Sequence, residues 1–436
     1  MIDVRKRTAG APPPRLSRQP TTVRARLGEL LGLTWLIALT IGSGACNSGT
    51  TLASDAGGDQ PDGWWSPRIA DVAVGGWRES GTPWVPPPEP AGCDLSNVTT
   101  VDLLAIPAGI YLLWGWNSYE ETPTSPHWFA GRRSRVDFNG GTGWTEFHAG
   151  ICPETGLDPD TCIARLSGAM GSRLVARIWS DIRHPLAYLE STGLTIWPES
   201  LWDASDPFVV NDELAYAVWT GADSKVLRFS GSDWLPMLEV LPYDLPYSLI
   251  TAIWADSSNL FMAGERGTVL SLEGTGWRNH ILGTTEDITA LWGFGADNVW
   301  AADKAGGLFR WDGTTWENIV WPNEAALAGD TCAEPGWITG MWGADDTLFL
   351  HTGHEIARWQ GGAFEVLGYW PGHRDASTGA CTDGIGIMRV RGLDPTDVFF
   401  AAAELTGSGD AIDEGEYNCV SRPFVLWWDG AALHWI

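Results

Sequence analysis

Residues 250–281 read ITAIWADSSNLFMAGERGTVLSLEGTGWRNHI, and residues 288–319 read ITALWGFGADNVWAADKAGGLFRWDGTTWENI. Trp254 and Trp292 stand 38 residues apart, and Trp277 and Trp316 stand 39 apart. Gly, Asp and Asn divide each copy into four short apolar-rich runs, which in the second copy are 288–292, 298–302, 307–311 and 315–319. Runs of about five residues between turn residues predict strands rather than helices. A four-stranded unit recurring every ~40 residues predicts the blade of a β-propeller. One such sheet has two faces to cover and cannot cover them alone, so the units must stack face to face around an axis.

Weaker copies extend both ways. They begin near Val101, at Ile163, at Ile338 and near Ile387, and "LAYAVWTGADSKVLRFSGSDWLPM" (214–237) holds the later strands of a further unit whose first strand the sequence does not place. With the two clear copies this makes seven. The fold expected is therefore all-β, a seven-bladed propeller with four antiparallel strands per blade. Six or eight blades stay open as alternatives because residues 63–77 and the unit around 214 are ambiguous. A buried indole removes ~150–250 Å² from water. The repeated Trp254, Trp277, Trp292, Trp300 and Trp316 are accordingly expected to fill the wedges between blades rather than to act as ligand platforms.

Composition agrees with this reading. Twenty-eight Trp and 53 Gly among 436 residues suit short strands and tight turns. They do not suit long helices, where each Gly costs ~1 kcal/mol against Ala. The formal charge is −27, and without residues 1–45 it becomes −32, from 20 basic and 52 acidic residues. So acidic a body repels phosphate backbones, which argues against a nucleic-acid partner.

The phrases "LWGFGADNVWAAD", "LFRWDGTTW" and "VLWWDGAALHW" resemble a family of Trp-rich propeller repeats found in exported lipoproteins of myxobacteria and their relatives. The likeness runs over residues 98–436. It implies a WD40-like propeller and an exported location, and it implies no particular ligand. The amino end points the same way. Seven basic residues precede an apolar run, 30–41, and the small residues "GSGA" lead to Cys46. Basic, then apolar, then small is the order of a secretory signal, and ~12 apolar residues are too few to span a membrane. Small residues before a lone Cys resemble a bacterial lipobox, although Ser43 stands where that family usually carries Leu. The resemblance implies lipidation at Cys46; ordinary cleavage near Ala45 is the alternative. Asn47, where Asp would imply inner-membrane retention, implies the outer membrane. Residues 1–45 are thus expected to be a signal peptide, 46–92 a Gly-, Asp- and Pro-rich tether, and 93–436 the propeller.

In a meandering blade the linker between blades and the loop between strands two and three lie on one face. The long insertions 117–133, 149–161, 321–336, 368–384 and 404–422 all fall there. Six cysteines fall with them, and in an exported chain they predict three disulfides. The pairing expected is Cys152 with Cys162, Cys332 with Cys381, and Cys93 with Cys419, the last locking the first blade to the last. Zinc is the rival reading, but no Cys pair has two-residue spacing. Long loops on a rigid scaffold commonly carry binding, so Tyr119, Trp128, Tyr369, Trp370 and Tyr417 are the candidate ligand contacts. The alternative is that these loops only cap the ring.

No catalytic constellation emerges. His351, His354 and Glu355 fall at a strand end and its turn, not on a helix where such spacing converges on a metal ion. The acidic run 410–416 lacks the alternating pattern of a calcium loop. "RWDGTTW" departs from the Asp-box of sialidases at Phe309 and Trp311. Neither catalytic residue, metal nor cofactor is expected. The leading reading is a monomeric, non-enzymatic binding or scaffold module, held to the membrane by its lipid alone, with an envelope protein as partner. A glycan-binding propeller is the second reading and a glycan-acting enzyme the third.

Overall fold

The computed structural model describes residues 98–436 except 123–124, 141–143, 153–162, 171–172, 179–185, 192, 198–206, 220–224, 238–249, 275, 323–335, 371–372, 375–380, 383 and 406–419. The chain divides into two units, 1–47 and 48–436, and every described residue lies in the second. Among the described residues no helix is long and apolar enough to cross a membrane.

The protein is a seven-bladed β-propeller with four antiparallel strands per blade. Blade one holds β1 (Val98–Ile106), β2 (Gly109–Thr122), β3 (Ser125–Asn139) and β4 (Trp144–Cys152). Blade two holds β5 (Ile163–Met170), β6 (Arg173–Ile178), β7 (Leu186–Glu190) and β8 (Gly193–Ile196). Blade three holds β9 (Phe208–Asn211), β10 (Leu214–Trp219), β11 (Lys225–Phe229) and β12 (Trp234–Pro236). Blade four holds β13 (Ile250–Ala255), β14 (Leu260–Gly264), β15 (Thr268–Glu273) and β16 (Gly276–Ile281). Blade five holds β17 (Ile288–Gly295), β18 (Asn298–Asp303), β19 (Leu308–Trp311) and β20 (Trp316–Asn318). Blade six holds β21 (Gly340–Ala344), β22 (Thr347–His351), β23 (Glu355–Gln360) and β24 (Ala363–Tyr369). A short ribbon, β25 (His373–Arg374) with β26 (Cys381–Thr382), precedes blade seven. That blade holds β27 (Gly384–Asp394), β28 (Asp397–Leu405), β29 (Val420–Trp428) and β30 (Leu433–Trp435). The unplaced first strand of blade three is β9; its "FVVN" lacks the Ile-Thr start and the Trp that mark its counterparts.

The glycine near the end of a blade's inner strand has a packing cause. A Cβ on Gly293 of blade five would come within 2.7 Å of the Trp254 ring of blade four, and one on Gly392 of blade seven within 2.5 Å of the Trp342 ring of blade six. The indole of one blade thus lies on the bare backbone of the next, and any side chain there would overpack the contact. Trp254 and Trp300 are buried, whereas Trp277, Trp292 and Trp316 are half-buried. Hydroxyls add a second device between innermost strands. Thr251 Oγ1 donates to the Ile288 carbonyl of the next blade (2.5 Å), and Thr289 Oγ1 to the Ile338 carbonyl (2.7 Å).

The ring closes between blades seven and one by packing and one strand contact. Val101, Leu103, Ile110 and Leu112 of blade one share a buried cluster with Phe399, Ala401, Val425 and Ile436. Val98 pairs with Val420, so the two blades read as one eight-stranded sheet. All four strands of blade seven come from one continuous stretch, with β30 paired to β29. Trp435 stacks on Phe424 with ring centroids 3.9 Å apart and caps that blade.

Two expectations about the insertions are corrected here. Residues 117–133 are not a loop: β2 and β3 run on as a hairpin, with Ser118 opposite Gly131, Tyr119 opposite Phe129 and Glu120 opposite Trp128. Backbone pairing is satisfied more cheaply by lengthening a ladder than by a free loop. Trp370, expected on an exposed loop, is buried at 8 % exposure in the cluster between blades six and seven. Gly368 makes the room, since a Cβ there would come within 2.1 Å of the Trp370 ring.

Candidate functional site

The innermost strands of all seven blades surround a central cavity of about 360 Å³. Its wall is formed by residues 104–106, 165 and 167–169, 207–210, 251–253, 289–292, 339–342 and 389–392. Leu104, Ile106, Phe208, Leu291 and the indoles of Trp292 and Trp342 add apolar groups to a wall whose exposed surface is slightly more polar than apolar. The charged groups among the described lining residues are all cationic: Arg165, Arg389 and Arg391.

The two arginines nearest in role occupy one repeat position. The inner strands of four blades carry the same irregularity of register, between Ile163 and Arg165, Ile250 and Ala252, Ile288 and Ala290, and Ile387 and Arg389. In blade six the same place, opposite His351, is Gly340, just as Ala290 lies opposite Ala302. Blades four, five and six therefore put Ala, Ala and Gly where blades two and seven put Arg. Blade one lies between those two, and its buried Asp102 joins them. Asp102 Oδ2 accepts from the Leu166 backbone N–H of blade two (2.9 Å), and Oδ1 accepts from the Leu103 N–H (2.8 Å). Arg389 Nε of blade seven stands 2.9 Å from Oδ1, an ion pair rather than an aligned hydrogen bond. The Arg389 side chain remains 23 % exposed and lines the cavity. Arg391 Nη1 donates to the Val390 carbonyl (3.0 Å).

Behind this wall lies a buried histidine pair. His351 Nδ1 donates to the Thr352 carbonyl (3.0 Å), and the Thr339 hydroxyl stands 3.1 Å from the same nitrogen. Burial pulls the His351 pKa down to about 4, the Thr352 hydrogen bond opposes this, and the Arg389 and Arg391 charges add to it. Burial also lowers His354, whose Nδ1 donates to the Ile385 carbonyl (3.1 Å). Among the described residues no group of three His, Cys, Asp or Glu is placed to hold a metal ion.

The sequence candidates scatter. Tyr369 is half-buried at the end of β24, and Trp370 belongs to the core. Tyr119 and Trp128 lie on neighbouring rungs of the blade-one hairpin. Tyr417, Cys46, Cys93, Cys162, Cys332, Cys419 and the acidic run 410–416 lie outside the described residues. Cys152 ends β4, opposite Arg132, and Cys381 pairs with Arg374 in the ribbon. Reading by tryptophan spacing missed Arg165, Arg389 and Arg391. The signal was there: two copies of the repeat carry a cation where three carry almost no side chain.

No family model and no curated protein matches the chain. Solved structures do. The chain is similar to the WD40 repeats of RRP9, at 12 % identity and a TM-score of 0.50, over 84 % of this chain and 99 % of that one. It is also similar to YCF48 from Cyanidioschyzon merolae, at 10 % identity and a TM-score of 0.48, over 77 % and 97 %. At such identities the likeness is one of fold, and the class it defines is the WD40-like seven-bladed β-propeller.

Proposed function

We propose that this chain is a non-enzymatic, envelope-anchored propeller that binds a partner protein, seating part of it at the mouth of the central channel on the face where the blades are linked. The cavity carries the reading. Its described lining is made of aliphatic groups, the Phe208 ring, two indoles, hydroxyls of which those of Thr251, Thr289 and Thr339 engage backbone, and arginine side chains, which suit holding a ligand. Cavities of ~300–1,000 Å³ lined by apolar and convergent polar groups are typical of binding sites, and this one sits on a closed scaffold. The YCF48 propeller has also been solved bound to D1 peptide.

In this proposal Cys46 carries the lipid, residues 46–92 form the tether, and the body faces away from the outer membrane. Cys93 and Cys419 would tie the closure seam, a pairing in keeping with the contact of Val98 with Val420. Intact mass and peptide mapping of the exported protein test these points: a diacylglyceryl group on Cys46 and oxidised Cys93–Cys419 support them, and an unmodified Cys46 removes the anchor. Binding is tested by placing a photo-cross-linking residue at Thr339, on the channel, or at Ile281, on the outer rim, in producing cells. One protein adduct from position 339 and none from 281 is the result expected. Adducts from the rim alone would refute it.

A further inference from the structure

We propose that the central channel receives a carboxylate, borne on an acidic peptide segment with an apolar side chain beside it, and that Arg165 and Arg389 are the residues that receive it. The inference rests on the protein-binding reading above and gives the partner its chemistry.

Charge is the first support. The chain as a whole carries −27, yet the described lining of its channel holds three guanidinium groups and no carboxylate. Asp102, buried behind the wall, pairs with Arg389. A cleft of one sign with low-dielectric walls focuses its field on a ligand of the other sign. In an acidic body, such a cleft admits anions where the rest of the surface repels them.

Placement is the second. Arg165 and Arg389 occupy the same repeat position on the two blades that flank blade one. Asp102 holds Arg389 from behind, so part of the ordering cost of that side chain is met before any ligand arrives. Planar guanidinium groups match carboxylates through paired N–H donors, and such charge-assisted bonds are about twice as strong as neutral ones.

The wall supplies the third. Trp292, Trp342, Phe208 and Leu291 line the same cavity as the arginines and provide the apolar part of its wall. A bare inorganic anion leaves that surface unused, whereas a glutamate or aspartate next to an apolar residue uses both.

Fluorescence anisotropy of the full chain with a rhodamine-labelled peptide, two glutamates flanking a phenylalanine, tests this beside the same peptide carrying glutamines. The glutamate peptide should bind at least about tenfold more tightly, the equivalent of one charge-assisted pair, and its affinity should fall as salt rises. Arg165→Ala, at an exposed position, should weaken it about tenfold with the urea midpoint of the variant measured beside it. Arg165→Lys should recover part of the loss. Arg389→Lys, which keeps a cation beside Asp102, should weaken binding less than Arg389→Ala. Equal affinity for the two peptides would overturn the proposal while leaving the protein-binding reading intact. Binding unchanged in Arg165→Ala would overturn it as well.

Discussion

Replacing Asp102 by alanine should be among the most damaging single changes in this propeller. The side chain is 5 % exposed and serves three blades at once. Its loss leaves two backbone N–H groups, of Leu103 and Leu166, without the acceptor they use. An orphaned buried donor costs ~1–3 kcal/mol. It also leaves Arg389 without its counter-charge. Breaking a fully buried pair costs ~3–5 kcal/mol, and the 23 % exposure of Arg389 moves that figure to the low end or below. These terms overlap, because the same carboxylate serves all of them, and the expected net is about 3–5 kcal/mol. Asp102→Asn keeps one oxygen acceptor and should lose about half as much. Urea unfolding gives the free energies, and hydrogen exchange gives the place: protection should fall first in β27, β1 and β5 and hold in β13 and β17. Removing the stranded cation as well, in Asp102→Ala/Arg389→Met, should restore part of the loss. The reasoning fails if Asp102→Ala costs under about 1 kcal/mol, if Asn is as harmful as Ala, or if the double variant is no better than the single.

Gly293→Ala and Gly392→Ala should each cost about 1–3 kcal/mol by forcing Trp254 or Trp342 off its seat; Gly276→Ala, with open space around its Cβ, should be near neutral in the same denaturation assay. Trp435→Ala should cost about 3–5 kcal/mol by emptying the place above Phe424, seen as an early melting phase. Stability should fall as pH drops from about 6.5 towards 4. His280 and His351 are held neutral in the fold, each with a pKa down to about 4, His280 by burial first and then by the Arg278 charge. The unfolded chain therefore takes up protons in that window that the native state refuses, up to about 1.4 kcal/mol per pH unit for each group. Urea midpoints across that range should show the slope, and His280→Gln should flatten it.

The blades were legible because tryptophan spacing and turn residues recur where the packing recurs. Trp254 and Trp342 make the same contact, against Gly293 and Gly392 of the next blade, whereas between blades five and six Phe294 rather than Trp292 lies on Gly343. Blade three hid its first strand because Phe208–Asn211 carries neither the threonine that bridges blades nor the indole that crosses to the next. Trp370 misled because proline and glycine follow it, and those residues advertise a surface turn. What decided its burial was Gly368, two residues earlier, which opens a space no local pattern reveals. The channel arginines were hidden differently. Averaging over copies finds what repeats, whereas Arg165 and Arg389 matter because they break the repeat, and only the shared bulge in the inner strands puts them in register. The hairpin over 117–133 escaped because its prolines obscure the alternation of a strand.

Because every blade is assembled from neighbouring segments of chain and none borrows a strand from the far end, the order in which blades are synthesised is separable from the ring they make. Joining residue 436 to residue 98 through a short glycine-serine bridge and opening the chain between β16 and β17 should yield a circular permutant with the same toroid. It also means that whole units could be duplicated, lost or exchanged as single stretches of coding sequence, with only the facing indole and glycine needing to match their new neighbours.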